Sequence, residues 1–431
     1  MIQAFDIVVV GAGMVGAALA TGLGQSGFRV AVVDRAPPPL FDPAASPDIR
    51  VSALSAGSER YLRTLGAWNN ILAMRATPYQ RLAVWDETRH PLQNLVPRRL
   101  SEVEFDATEL GAQHLGHIVE NSVTQQALWQ TAEAEPLVTL IHGHGVSSLT
   151  QSDETATVTL DDGRELTAEL VIGADGAQSR VRELAGIGTS RDQYGQQAMV
   201  ISVRYLGPVE DITWQGFHPS GPRAFLPLHS AEPNQPGESW ASLVWYDAPD
   251  ELARLKALPD DELMAEIQSA FPPGLPPLTH IDARASFPIA RQHARHYFSG
   301  RVVLAGDSAH TINPLAGQGV NLGFQDAQAL QGVLREARRA GDNLADRTWL
   351  NQYEQQRRPA NRRMMLTMDV FYHLFSNRVP PVHLLRNLGL GAAHALPFAR
   401  NRVARYAMGI DEELPAVVRQ ITTRIPGLKQ L

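Results

Sequence analysis

The segment from Phe5 to Asp34 restricts the fold more than any other part of the chain. The strand Asp6–Val10 carries the β-branched run Ile7-Val8-Val9-Val10, the composition of a strand buried on both faces. Gly11-Ala12-Gly13-Met14-Val15-Gly16 follows, then a helical stretch to about Gln25, a second strand over Arg29–Val33 and a terminal Asp34. Strand, GxGxxG turn, helix, strand and acid in this order describe a dinucleotide-binding unit. Gly11 permits the tight turn, Gly13 lets the backbone approach a pyrophosphate, and Gly16 lets helix and strand pack closely. The helix N-terminus offers unpaired N–H groups and a positive dipole end to the phosphates. Asp34 can accept hydrogen bonds from a ribose hydroxyl. The motif alone does not separate NAD from FAD.

Ile7–Phe28 carries no charge and has the length of a membrane span or a signal peptide. Its glycines at 11, 13, 16, 22, 24 and 27 argue against a span, and a lone Asp6 is not the basic leader of a signal peptide. The chain of 431 residues is long enough for two or three packed domains. A net charge of −7 points away from a nucleic-acid partner. With no cysteine there can be no disulfide, thiolate metal site or cysteine nucleophile, which fits a cytoplasmic chain. No HxxE, HxxxH or carboxylate spacing suggests a metal, and none is expected.

Further along, Arg50 precedes a helix over Ala56–Leu65 that ends at Gly66; it either reaches a phosphate or the cofactor ring, or is a solvated helix-leading arginine. A helix begins near Glu120-Asn121 and carries Gln125. Val138–Val171 alternates around the turn Asp161-Asp162-Gly163, as a hairpin or meander does. Strands expected around Met199–Tyr205, Thr213–His218, Arg223–Leu228 and Trp240–Tyr246 describe an antiparallel sheet inserted between α/β segments. The α/β character returns at Arg301–Leu304, a strand leading to Gly306-Asp307, followed by a long helix to about Arg339.

Three motifs stand in order: Gly11-x-Gly13-x-x-Gly16, Ala174-Asp175-Gly176-x-x-Ser179-x-x-Arg182, and Gly306-Asp307 with Pro314 and Gly317-Gln318-Gly319-Val320-Asn321. Together they resemble the group A flavoprotein aromatic hydroxylases over nearly the whole chain. His310-x-x-x-Pro314-x-x-Gly317-Gln318-Gly319-x-Asn321-x-Gly323-x-x-Asp326 is similar to the ubiquinone-biosynthesis branch of that family. Arg50-Val51-Ser52-Ala53-Leu54-Ser55, Trp214-Gln215-x-Phe217, Gly221–Leu228 and Trp240–Asp247 narrow the resemblance to the hydroxylation that precedes the final O-methylation. Asp34 departs from the glutamate usual in the family, but the shorter acid can still bind ribose.

The resemblance implies an α/β fold: a para-hydroxybenzoate-hydroxylase-like FAD-binding Rossmann domain, an inserted antiparallel-sheet substrate domain and a helical C-terminus. The expected division is 1–75, 106–182 and 285–345 for the FAD domain, 76–105 and 183–284 for the substrate domain, and 346–431 for the helical region. FAD is the implied cofactor and NAD(P)H a transient reductant, since no second GxGxxG is present. Dioxygen would react with reduced flavin to form a flavin hydroperoxide that attacks an electron-rich ring carbon of a polyprenylated quinol. Gly11, Gly13, Gly16, Asp34, Arg50, Gln125, Asp175, Gly306, Asp307, Pro314, Gly317, Gly319, Val320 and Asn321 are the expected cofactor residues. Phe225, Pro227, Trp245 and Tyr246 are candidates for the substrate pocket, with plain sheet packing as the alternative. His310 is either an acid/base or a group that supports its neighbours. A membrane-borne substrate implies peripheral contact with the inner membrane or a ubiquinone-biosynthesis protein complex, and Val379–Phe398 is either a docking helix or a core helix. A sister hydroxylase acting at another ring position and a non-catalytic flavin-binding assembly subunit are the rival functions. A flavin halogenase would carry a WxWxIP motif, absent here.

Overall fold

The computed structural model describes residues 2–87, 102–312, 317 and 319–375. Pro314 and the segment Val379–Phe398 lie outside them.

The β-branched run becomes the strand Ile2–Val10, with Ile7–Val10 almost wholly buried. It pairs in parallel with Val30–Asp34 on one side and Glu165–Gly173 on the other. Val138–His142 and Val302–Leu304 extend the parallel order outward. Strands with both faces covered need continuous apolar runs rather than alternation, which is why Ile7–Val10, Val30–Val33, Leu170–Ile172 and Val302–Leu304 are built from Val, Ile, Leu and Ala. The helices Met14–Gln25, Asn121–Glu133 and Gly319–Ala340 supply Leu19, Leu128, Phe324 and Leu330 to the same core. The chain winds outward from the first strand through Val30–Asp34 and Val138–His142 on one side and only later adds Glu165–Gly173 and Val302–Leu304 on the other, a topological switch point whose crevice opens at the strand's C-terminal end.

A second eight-stranded sheet is built around two long strands, Thr189–Leu206 and Leu278–Ala294, with Ile212–His218, Gly221–Ser230 and Glu238–Asp247 beside them. The four expected strands are all present, each extended at one or both ends. Leu278–Ala294 runs straight through residue 285, where the sequence boundary was drawn, so one strand links the two bodies. The helices Pro249–Ala257 and Asp260–Ala270 bury one face of this sheet through Leu252, Leu255, Leu263 and Ile267. The opposite face meets a small sheet of Val51–Ser55, Gly116–Glu120 and Thr77–Tyr79. The last of the described elements is the helix Arg347–Phe375.

Candidate active site

The glycine turn lies at the switch point. Gly11 sits at φ +100°, a left-handed conformation that strains any side chain, and a Cβ there would come 2.4 Å from the Ala174 carbonyl oxygen. A Cβ on Gly16 would lie 1.8 Å from the Gly11 carbonyl oxygen, so Gly16 is a packing glycine. Gly13 differs: a Cβ on it would meet no protein atom within 4 Å. Its backbone faces open space at the N-terminus of Met14–Gln25, where no side chain caps the helix and no acid occupies the first turn. That uncapped end is the cradle an anion requires. Gln125 donates from Nε2 to the Ala12 carbonyl at 3.1 Å and so braces the turn. Asp34 accepts the Ala12 N–H on Oδ2 at 2.5 Å, while Oδ1 holds only a long 3.3 Å bond from Ala36 N–H. One carboxylate oxygen thus fixes the turn and the other keeps capacity for a ribose hydroxyl.

Asp175 spends both oxygens on its own loop, accepting from Ser179 Oγ at 2.5 Å and from Val181 N–H at 3.0 Å. Arg182 carries that loop across to the third motif, donating to the Ser308 carbonyl at 2.8 Å and to Ala177 at 3.0 Å. The middle motif is therefore a clasp between the glycine turn and the Gly306-Asp307 turn. Gly306 takes φ +64°, and Asp307 is exposed at the cleft. Surrounding protein raises the pKa of the Asp307 carboxyl, with the charges of His310 and Arg50 pulling the other way. Arg50, exposed, thus stands within electrostatic reach of Asp307.

Gly317 stands beside Ala53, and Gly319 and Val320 begin the helix that follows. Asn321 is buried and saturated: Oδ1 accepts from Ser55 N–H at 3.0 Å and Ser58 Oγ at 2.7 Å, and Nδ2 donates to Ala53 at 2.9 Å and Gly317 at 3.4 Å. Its side chain ties the Gly317 loop to the Val51–Ser55 strand, which leaves only its backbone N–H, in the first turn of the helix, to face a cofactor. His310 is also buried; its Nε2 donates to Asp326 and its Nδ1 has no partner among the described residues. This is the supporting role rather than an open acid/base position.

The substrate candidates divide by sheet face. Phe225 stacks on Trp214 with ring centroids 5.5 Å apart, and Trp245 meets Phe271 edge-on at 5.4 Å, all within the helix-backed core. Pro227 pairs with Ala241, which belongs to that same core. These three face away from the FAD-side cleft, a correction to their assignment as pocket residues. Tyr246 lies on the other face, but packed with Ala198 and Ile289. The cleft side instead carries Leu226, Leu228 and Trp240, which pack with Val51 and Ala53 next to Gly317. A one-residue offset along a strand exchanges faces, so Leu226 and Leu228 alternate with Phe225 and Pro227 between the two sides of the sheet.

Sequence spacing also missed two groupings. Asp326, Arg357, Asn361, Tyr297 and His293 form a buried polar network behind the Gly306 turn. The only local signal is an acid on the apolar face of the Gly319–Ala340 helix, between Phe324 and Ala327. Glu59, His114 and His117, separated in sequence, converge closely enough to hold a metal ion. Burial opposes the Glu59 charge, but hydrogen bonds from His117, Arg63 and His114 outweigh it and hold the carboxyl down at about 2. Arg63 already neutralises it at 2.7 Å.

A Rossmann-type crevice, an uncapped helix end, a ribose-side carboxylate and a Gly-Asp turn closed over by an antiparallel sheet define a flavoprotein monooxygenase. The chain belongs to the FAD binding domain family, whose profile matches residues 4–367. It is 45% identical over 409 residues to the 3-demethoxyubiquinol 3-hydroxylase of Escherichia coli, covering 95% of this chain and 99% of that protein. It is 34% identical to a ubiquinone hydroxylase of Rhodospirillum rubrum, covering 96% and 93% of the two chains. Among solved structures, p-nitrophenol 4-monooxygenase from Pseudomonas putida superposes with a TM-score of 0.73 at 21% identity, covering 94% of this chain and 97% of that one, and shows the shared fold.

Proposed function

We propose that this enzyme hydroxylates the ring of a polyprenylated benzoquinol in ubiquinone biosynthesis, at the position acted on by 3-demethoxyubiquinol 3-hydroxylases. The observation that carries the proposal is the 45% identity to the Escherichia coli enzyme, sustained across 95% of the chain. Bound FAD supplies electron transfer from NAD(P)H, a transient visitor, and the activation of dioxygen.

The chain's residues supply the rest. The Gly13 backbone and the Met14–Gln25 helix end hold the pyrophosphate, and Asp34 orients a ribose. Asp307, at its exposed position, accepts from hydroxyls of the ribityl chain. The N-terminus of the Gly319–Ala340 helix, beside the Gly317 loop, would offer its positive dipole end to the ring and favour negative charge there. Leu226, Leu228 and Trp240 form an apolar wall that orients the quinol and excludes water.

No helix among the described residues is long and apolar enough to cross a membrane. A polyprenyl substrate therefore reaches the cleft by peripheral contact with the inner membrane or through a ubiquinone-biosynthesis protein complex. The test is expression in strains that each lack one ubiquinone-pathway ring hydroxylase, with the restored quinone identified by mass spectrometry. Restoration is expected in the strain lacking 3-demethoxyubiquinol hydroxylation. Restoration only in another strain would move the reaction to a sister position. Failure in all of them, with FAD-loaded protein present, would favour a non-catalytic assembly subunit.

A further inference from the structure

We propose that Asp326 is a positioning residue for the cofactor turn, through which the Arg347–Phe375 helix sets the seat of the flavin. The inference rests on the assignment of the Gly306-Asp307 turn to FAD.

Asp326 is fully buried, and the bonds it accepts tie its own helix to the Gly306 turn, to His310 and to the Arg347–Phe375 helix. Its Oδ2 accepts the Gly306 N–H at 3.1 Å and the His310 Nε2–H. Its Oδ1 accepts Arg357 Nε at 2.7 Å and Asn361 Nδ2 at 2.9 Å. Arg357 and Asn361 stand four residues apart and so share one face of their helix; Arg357 also donates to Asn361 Oδ1 at 2.9 Å. Asn361 donates at 3.1 Å to Tyr297 Oη, which is 3.0 Å from His293 Nε2. Burial pushes His293 down to about 3, so it stands in this network as a neutral ring.

A buried carboxylate persists only when paired and hydrogen-bonded. Here burial opposes its charge, and His310 and Arg357 outweigh burial to keep it ionised. That charge grips the N–H of Gly306, the residue whose left-handed φ of +64° determines where Asp307 points. The helix and the turn cannot move independently while the grip holds. A purely structural network would stabilise the fold without influencing how flavin sits.

The test compares three variants of the full chain by thermal melting, FAD titration and visible circular dichroism of the bound flavin. Asp326→Asn removes the charge at constant shape. Asn361→Leu breaks one arm without stranding a charge. Arg291→Ala removes the pairing of the same helix with the long strand at Asp369, a residue with no bond to Asp326, Arg357 or Asn361 among the described residues. Asp326→Asn is expected to weaken FAD binding by about tenfold or more, as loss of a charged hydrogen bond does, and to change the flavin dichroism. Asn361→Leu should do both to a lesser degree, about threefold. Arg291→Ala should lower the melting temperature and leave affinity and dichroism as in the unmodified chain. Unchanged FAD affinity in Asp326→Asn overturns the proposal, as does equal weakening by Arg291→Ala. If Asp326→Asn does not fold, unchanged affinity in Asn361→Leu overturns it instead. An unmodified chain that takes up no FAD would be a different failure, that of the cofactor assignment itself.

Discussion

Gly13→Val should give a folded protein that purifies without its yellow colour. The backbone at Gly13 has φ −65° and ψ −178°, which valine adopts readily, and a Cβ there meets no protein atom within 4 Å. The fold should lose only the helix-start preference of glycine, about 1 kcal/mol. The new methyl groups would occupy the space through which the pyrophosphate approaches the helix N-terminus, and FAD affinity should fall at least about a hundredfold, the loss of several charge-assisted bonds. Gly16→Val is the necessary contrast. Its Cβ would lie 1.8 Å from a backbone oxygen that cannot move aside, so it should damage folding as well as binding. The ratio of flavin to protein absorbance, read beside the melting temperature, separates the two. A Gly13→Val protein as yellow as the unmodified one would place the pyrophosphate elsewhere.

The second large effect concerns the two faces of the Gly221–Ser230 strand. Phe225→Ala should cost about 3–5 kcal/mol of stability, because it opens a cavity between Trp214, Tyr205 and the helix-backed core. At temperatures where it remains folded, its hydroxylation of the quinol should be close to that of the unmodified enzyme. Leu226→Trp should behave in the opposite way. Leu226 is only half buried, so the larger ring has room without disrupting the fold, yet it fills the cleft beside Trp240 and Ala53. FAD should remain bound while product formation drops at least about tenfold, corresponding to roughly 1.4 kcal/mol of lost transition-state binding. Denaturation midpoints and product yield per NAD(P)H consumed check both. Full hydroxylation by Leu226→Trp, or specific loss of turnover in stable Phe225→Ala, would return the pocket to the helix-backed face.

These contrasts show where legibility in sequence stops. The Ile7–Val10 run and its glycine turn could be read because a buried parallel strand needs an unbroken apolar stretch and a crevice needs residues without side chains. The Arg223–Leu228 strand was legible as a strand, but its inner and outer faces were not. Both are covered, so Pro222-Arg223-Ala224-Phe225-Leu226-Pro227-Leu228 lacks the polar alternation that would mark a solvent side. Motif spacing placed Asp175 and Asn321 near the cofactor, yet could not tell that each spends its polar atoms on neighbouring backbone and hydroxyls. Asp326 stood in a quoted motif, but Arg357 and Asn361 reach it across 31 and 35 positions, a meeting that only helix packing creates. His310 was tempting as an isolated histidine beside a cofactor loop; its burial against Asp326 comes from the same packing.

The most direct measurement is a single reaction under isotopically labelled dioxygen. The purified FAD-loaded enzyme, NAD(P)H and a short-tailed demethoxyubiquinol are combined, and the quinone product is analysed by mass spectrometry. The account predicts a hydroxylated ring carrying one labelled oxygen atom, with NAD(P)H oxidation accelerated by the quinol. Unlabelled product, or NAD(P)H oxidation indifferent to the quinol with no hydroxylated ring, would contradict it.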